Sequence, residues 1–328
     1  MMYYEMFKGI LKERILDYLP ENYKGGSARI IEVKKVNETL EALTVFPKEG
    51  SMITPNIYLQ KMYEDYKVHE DIERSLQDAA KVVEIAMQEH KVKSINVDTD
   101  FTPDKVFMDL VNQEQNKELL ETIPHRDFQD LSVIYRLLVD KSEDGIMSSI
   151  ITDVMAEKMG LTEDQLFVHA VENTKEFFPP KIMTMEQVIM EMVDRDFAEA
   201  MGLCVERDPK ETMWVLTNEN GVNGAVCMLY ESNLQEIAKR VGTDMYILPS
   251  SKHETILVSV EMGDAQSLGE MVNEINMSQV ELCDRLSNNV YHYDKDLRKV
   301  TLATDSPNKR LDGKVSEPPM VYETQMKR

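Results

Sequence analysis

The chain has 328 residues, 42% of them hydrophobic and 29% charged, a globular composition with room for about two domains of roughly 150 residues each. Its formal charge of −22 repels phosphate backbones, so nucleic acid is not an expected partner. Charges interrupt every apolar run well before the roughly 18 residues a membrane-spanning helix needs, so no membrane partner is expected.

In the first segment Glu5, Lys8, Lys12, Glu13 and Arg14 break up any secretory h-region. Cys204, Cys227 and Cys283 are odd in number and lack CxxC spacing, which fits free thiols in a reducing compartment. A cytoplasmic location is therefore expected. Met6, Phe7, Ile10, Leu11, Ile15 and Leu19 predict a helix stopped by Pro20, followed by two strands (30–33 and 40–46) paired through Asn37-Glu38. Helices are predicted over 58–66 and from Asp71 onward, with Asp71 as the cap. Ile95 and Val97 suggest a short strand. Residues 106–111 fit strand or helix, and 116–123 a short helix ended by Pro124.

The run 131–139 reads as a buried strand, with 146–151 returning antiparallel. Thr162 with Gln165, and Thr184 with Gln187, are capping boxes that open two helices. The second carries helical apolar spacing from Met185 to Met201. Pro179-Pro180 is taken as a domain boundary. Beyond it the order strand, strand, helix occurs twice: 213–217, 225–229 and 234–241, then 245–248, 255–260 and 268–275. Strands near 291–293 and 299–302 close the pattern. The expected fold class is α+β, with mainly antiparallel sheets, helices packed on one face, and two lobes (1–180 and 181–304) before a flexible tail (305–328).

The densest group of reactive side chains is the polar corner between strands 245–248 and 255–260, which gathers Pro249, Ser250, Ser251, His253 and Glu254. Serine, histidine and an acid suit nucleophilic catalysis only within hydrogen-bond reach of one another. Residues two apart on a strand share a face, so Ser251 can meet His253 while Glu254 points away. The chain also lacks a Gly-x-Ser-x-Gly elbow. A binding corner is thus expected, and the alternative is a hydrolase using Ser250 or Ser251 with His253. His253-Glu254 opens like a zinc-protease helix, but Leu257 stands where the second histidine belongs. Asp98-Thr99-Asp100-Phe101-Thr102 matches the nucleophile motif of haloacid-dehalogenase phosphotransferases without the later lysine and acidic pair, so a solvated loop is expected. The six histidines show no metal spacing, and no phosphate-binding glycine loop occurs; no metal or cofactor is expected.

Four groups of stretches carry a resemblance: residues 116–120 with Pro124-His125 and 128–131; 160–163 with 172–174; 215–218 with Gly224-Ala225; and 247–251 with His253-Glu254. Together they resemble a domain-of-unknown-function family of cytoplasmic proteins from anaerobic Gram-positive gut bacteria. The resemblance covers residues 1 to about 303 and implies a bacterial origin, with no activity, cofactor or catalytic residue attached. The expectation is a non-enzymatic binding or accessory protein, with a protein partner whose identity the sequence does not disclose.

Overall fold

A computed structural model describes residues 2–46, 56–90, 102–142, 145–194, 200, 202, 207–304 and 311–312. The chain divides into two compact units, Met1–Asp100 and Phe101–Arg328.

In the first unit, Phe7 and Leu11 lie one turn apart on helix α1 (Tyr4–Arg14) and are buried together with Ile15. They pack against Leu43 and Val45 of β2 (Glu38–Phe46), which pairs with β1 (Ser27–Lys35) and with β3 (Asn56–Tyr58) in a three-stranded antiparallel sheet. Helices α2 (Leu59–His69) and α3 (Ile72–His90) complete this core through Leu59, Tyr66, Leu76, Ala79 and Val83. Asp71 caps α3 as expected, accepting the N–H groups of Glu73 (3.0 Å) and Arg74 (3.1 Å). The hairpin predicted around Asn37-Glu38 is present, with Asn37 in the left-handed region (φ 66°). The predicted strand at Ile95 and Val97 and the motif at Asp98–Thr102 fall at or beyond the edge of the described residues.

The second unit holds two further antiparallel sheets. One is built on the twelve-residue strand β6 (Leu131–Ser142), flanked by β4 (Val106–Asn112), β5 (His125–Phe128) and β7 (Gly145–Ile150). The other has six strands in the order β13-β12-β10-β11-β9-β8. These are β8 (Pro180–Thr184), β9 (Trp214–Asn218), β10 (Met245–Leu248), β11 (Thr255–Ser259), β12 (Tyr291–Asp294) and β13 (Lys299–Leu302). With α4 (Lys117–Leu120), α5 (Asp153–Met159), α6 (Glu163–Phe177), α7 (Met185–Met192), α8 (Glu231–Val241) and α9 (Ala265–Ser278), the described residues make a mixed α+β fold whose three sheets are all antiparallel. One apolar core joins both sheets of this unit, with Met108, Leu110 and Tyr135 from one, Leu216, Ile247, Leu257 and Tyr291 from the other, and Leu166, Ile237 and Val241 from the helices.

Three expectations change. Pro179-Pro180 lies inside the second unit, where Pro180 opens the edge strand β8 opposite Asn218, a position that needs no N–H from proline. Residues 225–229 form part of a 3₁₀ segment (Gly224–Leu229) instead of a strand. Ala225, Val226, Cys227 and Met228 are all buried, and an apolar run buried on every side carries no period that separates strand from helix. Helix α7 leaves helical geometry at Val193 (φ −121°, ψ 161°), so it stops well short of Met201. Both capping boxes are formed as the sequence indicates.

The 3₁₀ segment opens at Gly224 for a steric reason. A Cβ there would lie 2.5 Å from the His253 carbonyl oxygen, 2.8 Å from the Asn218 nitrogen and 2.3 Å from Thr217 Oγ1. Two of these are main-chain atoms that cannot swing aside. Gly224→Ala is therefore expected to destabilise the protein by about 1–3 kcal/mol in urea unfolding. Gly9→Ala, which meets open space within helix α1 and has no positive φ, serves as the comparison and is expected to be neutral or to stabilise by about 0.5–1 kcal/mol.

Candidate functional site

Strands β10 and β11 pair from Met245↔Ser259 to Leu248↔Ile256, which leaves residues 249–254 as the corner of the ribbon. The corner is a packed structure and not a free tip, because its main chain is bonded from two sides. Leu286 N donates to Ser250 O (2.8 Å), Ser287 N to Pro249 O (2.9 Å), and Lys252 N to Asp284 O (2.8 Å). On the other side Ala225 N donates to Lys252 O (3.1 Å), while Gly224 N (3.0 Å) and Thr217 Oγ1 (2.8 Å) share His253 O. Buried main-chain groups require such partners, and these bonds define the path of the corner.

The predicted residues divide by burial. Pro249 and Ser251 are buried, whereas Ser250, Lys252, His253 and Glu254 are half-buried. Ser251 Oγ accepts the His253 main-chain N–H (3.0 Å), so serine and histidine meet through the backbone and not through the imidazole. The ring is held elsewhere. Its Nδ1 accepts the N–H of Asn223 (3.3 Å), which leaves Nε2 to carry the hydrogen, 3.3 Å from Asp284 Oδ1. The same carboxylate oxygen receives the Lys252 ammonium at 2.7 Å. Burial works against the Asp284 charge, but Lys252 and His253 outweigh it and hold this carboxyl below its ordinary range.

Beyond Asn223 the network reaches a residue that the sequence reading passed over. Asp109 stands in β4, a strand buried along its whole length. Asn223 Nδ2 is 3.3 Å and Arg136 Nη1 3.6 Å from Asp109 Oδ2, and the Leu110 N–H bonds Oδ1 at 2.9 Å. Desolvation dominates over these partners and raises the Asp109 pKa. The available signal was a lone carboxylate inside Val106-Phe107-Met108-Asp109-Leu110-Val111. Asn223 occupies the left-handed region (φ 53°), which asparagine tolerates, and this turns both its main-chain N–H and its side chain to use. The result is a continuous polar chain: Asp109, Asn223, His253, Asp284, Lys252.

Among the described residues, Glu281, Cys283 and Asp284 bring three metal-competent atoms within 4.8 Å of one another. Lys252 already occupies the Asp284 oxygen in that group, and a cation there would have to displace an ammonium. Cys227 is buried, and burial pushes its thiol up to about 12, which makes it inert as a nucleophile. Cys204 lies outside the described residues. His169, which the helix pattern places beside the apolar face of α6, is exposed.

The model of a family of unknown function, DUF5688, matches residues 4–295, and the chain belongs to that family. Neither the curated proteins nor the solved structures contain a match to it.

A raised carboxyl pKa has a definite sign in stability. Between the ordinary value and its folded value, Asp109 holds a proton that the unfolded chain has lost, so stability falls as pH rises through that window. Asp109→Asn removes the titration. Melting temperatures measured across acidic and neutral pH are expected to show wild type gaining on the variant as pH falls. A constant difference would contradict the assignment.

Proposed function

We propose that this DUF5688 protein is a non-enzymatic binding or accessory protein whose contact surface is the corner at residues 249–254. The observation that carries this reading is the closed imidazole: His253 is engaged at Nδ1 by Asn223 and at Nε2 by Asp284, and Ser251 Oγ accepts the His253 main-chain N–H instead of meeting the ring. A hydrolase using Ser250 or Ser251 would have to break the His253–Asn223 bond before the ring accepted a serine proton. What the corner offers instead is a set of half-buried polar side chains on a fixed main chain. Recognition by such a surface loses little conformational freedom on binding.

The same reading places the protein in a bacterial cytoplasm, supported by its family resemblance and by a cysteine pattern suited to free thiols. No helix among the described residues is long and apolar enough to cross a membrane. The net charge of −22 favours a protein partner over nucleic acid.

Affinity capture from the native host is expected to retain a partner on wild type and lose it with the His253→Ala/Glu254→Ala double variant. Equal retention would move the contact surface elsewhere. A fluorophosphonate probe is expected to leave Ser250 and Ser251 unlabelled. Labelling of either serine that disappears in His253→Ala would replace binding with hydrolysis.

A further inference from the structure

Beyond Thr304 the described residues are Leu311 and Asp312, and Leu311 is completely buried. Both of its main-chain groups are held by side chains of the second unit. Its N–H donates to Gln115 Oε1 (3.2 Å), and its carbonyl accepts Arg285 Nη1 (2.5 Å). One residue is thus read at three points: the side chain by burial, the N–H by an amide oxygen and the carbonyl by a guanidinium.

The two clasping side chains come from segments that other bonds fix. Gln115 N donates to Asn112 Oδ1 (3.0 Å) and Asn112 Nδ2 to Leu286 O (3.1 Å), which ties the turn after β4 to the segment closing the corner. Arg285 N donates to Glu281 O (3.1 Å) and its Nε to Val280 O (2.9 Å), while Nη1 lies 3.7 Å from Met277 Sδ at the end of α9. All these residues lie within the family match, 4–295, whereas Leu311 lies beyond it. The clasp belongs to the family domain and its occupant does not. That occupant stands in the run Lys309-Arg310-Leu311-Asp312-Gly313-Lys314, three cations around one leucine in a chain of net charge −22.

From this arrangement we propose that Gln115 and Arg285 form a peptide-binding socket for a leucine flanked by basic residues, and that the chain's own tail fills it in cis as an autoinhibitory contact. Bonds to the main chain hold any peptide in place, and burial of the side chain selects leucine. A tethered segment has an effective concentration of about a millimolar, so a free peptide competes poorly while the tail is seated. The socket is separate from the His253 contacts and does not depend on their role.

The test uses the full chain, as wild type and as Leu311→Asp, which places an unpaired charge in the socket and so expels the tail. The probe is a fluorescent synthetic peptide of residues 307–316, followed by anisotropy. Leu311→Asp is expected to bind it saturably at one per chain, and wild type at least about tenfold more weakly. Gln115→Ala added to Leu311→Asp is expected to weaken binding about three- to tenfold, the worth of one hydrogen bond. A probe carrying aspartate in place of its leucine is expected not to bind. The proposal falls if Leu311→Asp does not bind the probe, if wild type binds it equally well, or if both probes bind alike, which would mark attraction of basic residues to the overall negative charge. Loss of cooperative melting in Leu311→Asp would also overturn it, since Leu311 would then be core and not an exchangeable ligand. So would a wild-type dimer that the probe disperses, because the occupant would then be the tail of a second copy.

Discussion

The need to satisfy the buried main chain of one irregular corner organises the second unit. Between β10 and β11 the backbone leaves its sheet partners, and its carbonyls at Pro249, Ser250, Lys252 and His253 would be left unbonded inside the protein. A buried polar group without a partner costs about 1–3 kcal/mol, so segments distant in sequence are recruited to it. Residues 284–287 close one side and residues 217–225 the other. Gly224 has no side chain because it stands against that backbone, and the 3₁₀ turn that follows it is tied down by the same bonds.

The segment that closes the corner also carries the unit's second polar centre. Asp284 engages His253 and Lys252 at one end, while Ser287, Asn289 and Tyr291 converge on Asp130 a few residues later. Asp109, buried, and Asp130, half-buried, are held by two different sets of partners. Asp130 has three neutral donors. Asp109 has one main-chain N–H at close range, the Asn223 amide at 3.3 Å and a guanidinium 3.6 Å away, and its burial is not fully offset. The Tyr291 phenol is pushed well above its ordinary range by burial and by the neighbouring Asp130 charge. Both carboxylates bond across to groups far away in sequence, adding polar ties to parts of the unit that the shared apolar core already joins.

Much of the architecture was legible because local signals and tertiary packing agree. The two capping boxes, the Asp71 cap, the β1–β2 and β6–β7 pairings, and the β10–β11 ribbon all follow from residue type and spacing. Disagreement arose where a segment is buried on all sides. The run from Ala225 to Leu229 has no amphipathic period, and its helical turn comes from bonds to the corner. Pro179-Pro180 looked like punctuation because edge position, which lets a proline open a strand, is not written locally. The corner residues were identified as a group, but their roles were not. Ser251 and His253 are neighbours in sequence whose side chains face different partners.

Sequence alone determined the α+β class, the antiparallel ribbon, most helix starts and the grouping of the corner residues, since each is written in residue type and local spacing. Only the tertiary structure decided where the units divide, that Asp109 and Asn223 reach His253, and that Asp284 closes the ring's other side. Those contacts span 30 to 114 positions. Hydrogen bonds and charge pairs act over a few ångströms in space, and no spacing rule encodes which distant segments are brought that close.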